Sequence, residues 1–121
     1  MKLLAVDCEV LSDAVVVRAK GEVDSSTVNE LVSHLGTALH EAAAHPARLL
    51  IINLQALTYF GSAGLNAILD CHRQGIEAGV SVRVVADNDL VIRPIEVTDL
   101  DNVLQLYPTQ ADAQGRPEKG P

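Results

Sequence analysis

Hydrophobic and polar positions alternate from the start of the chain. Leu4, Val6, Cys8 and Val10 are interleaved with Ala5, Asp7 and Glu9, the period of a half-buried strand whose inward side carries Cys8. Leu11-Ser12-Asp13 reads as a turn, and Ala14 to Lys20, with Val15, Val16 and Val17, as a second strand. So short a connection makes only an antiparallel pair. After Gly21-Glu22-Val23-Asp24 the period changes. Val28, Leu31, Val32, Leu35 and Leu39 recur at helical spacing and give one apolar face. Thr27-Val28-Asn29-Glu30 has the spacing of a capping box, and His45-Pro46 ends the helix because the residue before proline is pushed out of the α region.

Leu49-Leu50-Ile51-Ile52 is apolar without alternation, the signature of a central strand covered on both faces. The sequence then reads as a loop over 54–61 and a second helix over 62–74, with Leu65, Ile68, Leu69 and His72 inward and Gly75 placed to close it. Val80, Val82 and Val84 alternate as a further strand. A helix follows over 89–97, where Pro94 requires a kink or a late start. Residues 103–106 are apolar and fit strand or helix. From Thr109 the apolar face is lost and Gln, Asp, Gly, Pro and Lys take over, so 109–121 is expected to be a disordered tail. The order β-β-α-β-α-β-α predicts an α/β domain over 1–108 with a mixed four- to five-stranded sheet and packed helices.

The length of 121 residues fits one such domain, and 48% hydrophobic with 21% charged residues is ordinary for a globular chain. The net charge of -7 and only three aromatics, Tyr59, Phe60 and Tyr107, speak against a nucleic-acid partner, which needs a basic surface and stacking rings. No apolar run is long enough to span a bilayer. The stretch ahead of Asp7 is too short for a secretion signal. With Cys8 and Cys71 as the two cysteines, a reducing, cytoplasmic setting is the natural expectation.

The informative segment runs from Ile51 through Gly61-Ser62-Ala63-Gly64-Leu65. Serine is a preferred N-cap, so Ser62 has a purely structural reason to stand there. Its functional reading is as a phosphate acceptor, since added charge is tolerated beside the positive end of a helix. Gly61 and Gly64 leave room for another protein to approach. Tyr59 and Phe60 read as one core residue and one exposed anchor. Enzyme chemistry is not indicated. Gly61-Ser62-Ala63-Gly64 lacks the Gly-Lys-Ser/Thr ending of a phosphate loop, and no histidine base is placed to activate Ser62. His34, His40, His45 and His72 show no metal-ligand spacing, and His72 reads as a packed histidine. Cys8 reads as a buried, inert thiol, and Cys71 as a thiol on the flank of the second helix that is reactive if exposed.

These motifs resemble the STAS domains, in particular the bacterial anti-sigma-factor antagonists. That family's apolar strand ending in Asp-Leu-Ser, followed by Asp-Ser-Ser-Gly-Leu at a helix start, corresponds here to Asn53-Leu54-Gln55 and Gly61-Ser62-Ala63-Gly64-Leu65. Its Gly-Glu-Leu-Asp corresponds to Gly21-Glu22-Val23-Asp24, and a third match runs from Val91-Ile92-Arg93-Pro94-Ile95 through Leu100 to Leu104. The resemblance implies a partner switch without enzymatic activity or cofactor. The unmodified protein binds an anti-sigma factor that is also a serine kinase, phosphorylation of Ser62 ends the complex, and a phosphatase resets it. Asp24, Thr58, Gly61, Ser62, Ala63 and Gly64 would form the partner face. A second implied role is a STAS subunit of a membrane transport complex of the lipid ABC type. Gly61 and Asn53 stand where the family often has aspartate. That difference implies either recognition by another kinase or binding without phosphorylation.

Overall fold

The computed structural model describes residues 3–115. Five strands lie in the order β1-β2-β3-β4-β5, where β1 is Leu4–Val10, β2 Val15–Val23, β3 Leu49–Phe60, β4 Ser81–Val85 and β5 Gln105–Tyr107. β1 and β2 pair antiparallel around the Leu11–Ala14 turn, and every later neighbour is parallel. The parallel neighbours are joined by α1 (Val28–Ala44), α2 (Ser62–Ala78) and α3 (Asp89–Val97), the last followed by a 3₁₀ turn at Leu100–Asn102. This is the expected mixed α/β sheet. Each central strand sends alternate residues to opposite faces. Val15, Val17, Leu50, Ile52, Val82 and Val84 join Leu31, Leu35, Ile68, Val91 and Ile95 of the three helices in the main core. Ala14, Val16, Leu49, Ile51, Val85 and Tyr107 form a second, smaller apolar cluster on the other side.

That second face is covered by an element which the sequence reading places in a disordered tail. Residues Gln110–Gly115 form a short helix, α4, with Ala113 fully buried in the smaller cluster. Residues 116–121 of the expected tail lie outside the described residues. An amide ladder holds α4 down. Asn53 Nδ2 donates to Gln110 Oε1 at 3.1 Å, Gln110 Nε2 to Gln114 Oε1 at 3.2 Å, and Gln114 Nε2 to Asp13 at 3.1 Å. The buried Arg83 donates to the carbonyl of Ala113 and lies over the Tyr107 ring. A guanidinium on a helix C-terminal carbonyl suits the helix dipole as well as the hydrogen bond. Low apolar content hides this helix from a periodicity reading, because it is held mainly by amides.

Other boundaries differ for local reasons. The segment 54–61 is strand up to Phe60, and its period is broken by two register shifts against β2, each placing an extra residue in β3. Leu54, Leu57 and Phe60 therefore point into the core three residues apart, the effect of β-bulges. Gly75 does not end α2. It is buried inside the helix, where a Cβ would stand 2.6 Å from Val82 Cγ2, and the left-handed residue after the helix is Gly79 at φ 72°. Pro94 sits inside α3 without delaying its start. Residues 103–106 divide, with Val103 exposed after the 3₁₀ turn and Gln105 opening β5. Val32 is half exposed rather than inward, and Ala38 and Ala42 complete the buried face of α1.

Cys8, expected to be buried, is not, and Cys71 does not meet the condition of exposure set for its reactivity. Cys8 is exposed. Its strand parity matches that of buried Leu4, but burial fades along β1, with Val6 half-buried and Val10 exposed. Its thiol is shifted up by partial burial and by the carboxylates of Glu41 and Asp7. Cys71 is buried in the main core, and burial pushes its thiol up to about 12, which makes it unreactive in the folded chain.

Candidate functional site

At the C-terminal edge of the sheet, β2 and β3 end side by side. Val23 and Phe60 are register partners, both buried, and the Gly61 N–H donates to the Val23 carbonyl at 3.0 Å. This bond holds the entry to α2 against the exit from β2, so Asp24 and Ser62 start from adjoining strand ends. Gly21 lets the start of β1 lie close against this end of β2. Its φ of 111° is left-handed, and a Cβ there would collide with the Leu3 carbonyl oxygen. Thr58, exposed on β3, donates from Oγ1 to the Gly21 carbonyl at 3.2 Å and adds a second tie.

Ser62 begins α2 but does not cap it. The N-cap is Gly61, in extended conformation, and no side chain caps the helix. Ser62 is exposed, and its hydroxyl makes no hydrogen bond among the described residues. The N–H groups of the first turn have no intrahelical partners, and the positive end of the helix dipole lies there. The structural reason for a serine at 62 therefore falls away. What remains is an accessible hydroxyl at a place that favours a negative substituent.

Asp24 organises the neighbouring turn. Its Oδ1 accepts the Ser26 N–H at 2.8 Å, the Ser26 hydroxyl at 2.6 Å and the Thr27 N–H at 3.2 Å. The Ser26 hydroxyl, then the Ser26 and Thr27 amides, hold its carboxyl below the ordinary aspartate value. Thr27 is the N-cap residue of α1, but its hydroxyl turns back, donating to the Glu22 carbonyl and accepting the Asp24 N–H. The expected capping box is replaced by this turn, with Asp24 supplying the carboxylate to the Thr27 N–H.

The remaining expected site residues divide. Gly61 and Ala63 are partly exposed beside Ser62. Gly64 is buried, and a Cβ there would stand 2.8 Å from Val23 Cγ1 and 2.9 Å from Phe60 Cε1. It brings α2 down onto the strand ends and offers nothing to an approaching protein. Asn53 lies well back along β3 and serves the α4 ladder, accepting the Gln55 N–H as well. Tyr59 is 52% exposed and Phe60 is buried, one turned outward and one in the core as expected. Asn88 was not anticipated. It precedes α3, and its side-chain amide donates to the carbonyls of Leu54 and Leu57 at 3.3 and 3.4 Å, bracing the bulged part of β3.

Known proteins match this arrangement. The STAS domain model matches residues 5–113. Anti-sigma-F factor antagonist RsfB of Mycobacterium tuberculosis is 34% identical over 93 residues, which cover 77% of this chain and 72% of RsfB. Among solved structures, an anti-sigma factor antagonist from Mycobacterium paratuberculosis superposes with a TM-score of 0.81 at 29% identity, covering 91% of this chain and 90% of that one. The Bacillus cell fate determinant SpoIIAA, solved in its phosphorylated form, gives a TM-score of 0.66 at 20% identity, with 90% of this chain and 96% of SpoIIAA covered, and supports the fold. The chain belongs to the STAS domain family.

Proposed function

We propose that this protein is an anti-sigma-factor antagonist, a binding protein rather than an enzyme, switched by phosphorylation of Ser62. The observation that carries the reading is the free, exposed Ser62 hydroxyl at the first residue of α2, beside strand ends tied by the Gly61–Val23 bond. It is supported by the names of RsfB and of the M. paratuberculosis structure. In this reading Asp24, Thr58, Gly61 and Ala63 join Ser62 on the docking face. Gly64 supports that face from beneath. The partner is an anti-sigma factor with serine kinase activity. Ser62 Oγ attacks the γ-phosphorus of the partner's ATP, the bond to the ADP oxygen breaks, and the hydroxyl proton passes to a base on the partner. A phosphatase restores the hydroxyl.

Phosphorylation adds about −1.5 to −2 charge at one surface point of a chain whose net charge is already -7. No capping bond is lost, and the helix dipole favours the added charge, so the fold persists while the docking face changes. Asp24, kept ionised by its turn, adds to the local negative potential. The test is incubation with the candidate anti-sigma kinase and ATP, followed by mass spectrometry of the peptide containing Ser62. Ser62→Ala should bind the kinase constitutively, and Ser62→Asp much more weakly. Equal affinity of the two variants, or phosphate found elsewhere in the chain, defeats the proposal.

A further inference from the structure

Of the three aromatic residues, Phe60 and Tyr107 are buried and Tyr59 is 52% exposed. Tyr59 lies one residue before the buried end of β3, with Glu22 of β2 as its register partner. It points away from the core that takes Phe60. Gly61, two residues on, is on the same side. A Cβ built on Gly61 would lie 3.2 Å from Tyr59 Cε2 and 3.3 Å from Tyr59 Oη, so the phenol end of the ring rests over the Gly61 α-carbon, next to Ser62. A side chain at 61 would make the exposed ring give by a few tenths of an ångström. The glycine at that position lets the ring of the tyrosine two residues earlier lie close to the backbone.

We infer that Tyr59, laid over Gly61, is the specificity-determining contact beside the acceptor serine. It gives the docking kinase an aromatic surface with a hydroxyl at its tip, where a carboxylate at position 61 would give a charge. This inference rests on the proposed function and names the group through which that site selects its partner. A half-exposed tyrosine offers a large contact area at low entropic cost, which is why tyrosine is concentrated at interface centres. The ring also occupies space above the peptide leading into Ser62, so a kinase pocket that admits Ser62 Oγ must also admit the phenol. A kinase that reads an acid at that point meets an uncharged ring and leaves a basic group unpaired.

The experiment uses the full chain and the ATP-binding anti-sigma kinases of its own genome. Dissociation constants and steady-state phosphorylation are measured for wild type, Tyr59→Phe, Tyr59→Ala, Gly61→Asp and Ser62→Asp, with melting temperatures for each. Tyr59→Ala should weaken binding about tenfold or more. It should raise KM for phosphorylation with kcat within about twofold, the pattern of lost uniform binding. Tyr59→Phe should keep most of the affinity, Gly61→Asp should lose it, and melting should change by no more than ~2 °C for Tyr59→Ala. If Tyr59→Ala binds like wild type while Ser62→Asp does not, the inference fails and the switch stands. Affinity losses that track melting temperature across the variants assign the ring to the fold and also overturn the inference. If wild type binds no such kinase, the proposed function falls and takes the inference with it.

Discussion

Replacing Gly64 by alanine separates packing from partner contact at this site. The added methyl would stand 2.8 Å from Val23 Cγ1 and 2.9 Å from Phe60 Cε1, closer than carbon atoms approach without a shift. Both neighbours are buried, and Val23 is β-branched and stiff at χ1, so α2 or the strand ends must yield. Overpacking of this kind costs about 1–3 kcal/mol. The helix-propensity gain of alanine over glycine offsets up to about 1 kcal/mol, leaving a net loss on the order of 1–2 kcal/mol. Gly36 is the control. It lies inside α1, and an added Cβ meets nothing within 4 Å, so Gly36→Ala should stabilise by about 0.5–1 kcal/mol. Urea denaturation of the two variants and wild type, with m-values compared to confirm a common unfolded state, should move the midpoints in opposite directions. A Gly64→Ala midpoint equal to or above wild type would refute the packing role and return this glycine to the docking face.

Three further outcomes are expected. The low Asp24 pKa means the folded state favours its ionised form, so Asp24 contributes stability above its ordinary value of 3.8 that is lost as pH falls through the lowered folded-state value. The melting difference between wild type and Asp24→Asn should therefore be largest near neutrality and shrink on acidification below about pH 4; a difference constant from pH 7 to pH 2 counts against the ionised turn. Asn53→Ala removes the amide that donates to Gln110, and amide exchange measured by mass spectrometry should quicken in 110–115 while the main-core strands keep their protection; uniform change, or none, is the contrary result. Alkylation of the native protein with iodoacetamide should label Cys8 and spare Cys71 until denaturant is added, and labelling of Cys71 in the folded state would contradict its burial.

Much of the fold was legible because burial in it follows simple periods. Val15 to Val17 and Leu49 to Ile52 are apolar on both sides and became two-faced strands. Leu31, Leu35 and Leu39 marked the inner side of α1. The errors arose where a tertiary contact overrides a local signal. Bulges put Leu54 and Leu57 in the core at a spacing that belongs to no regular strand, and β2 keeps that stretch extended. Gly75 reads as a helix end from its lack of a side chain, but it is glycine because β4 passes close by. Helix α4 has one fully buried alanine and is fixed by an amide, a carboxylate and a guanidinium from three distant segments, Asn53, Asp13 and Arg83, none of which a window of residues reveals. At the candidate site, the position of Ser62 at a helix start was readable from its neighbours. Its freedom from capping depended on Gly61 adopting the extended cap alone. For Cys8 the strand parity was right, but alternation alone does not show that burial fades from Leu4 toward Val10 along this edge strand.

The unequal lengths of the strands carry one more consequence. β4 pairs with β3 only from Leu49 to Asn53, while β3 continues to Phe60 alongside β2. The last stretch of β2 and β3 thus stands beyond β4 as a narrow pedestal, edged by the start of β1 at Leu4 and Ala5 and braced on its open flank by the Asn88 amide. Substitutions on the outward side of this pedestal leave the interior of the sheet untouched. A lineage of such proteins can therefore vary the outward residues of this tip while inheriting an unchanged foundation.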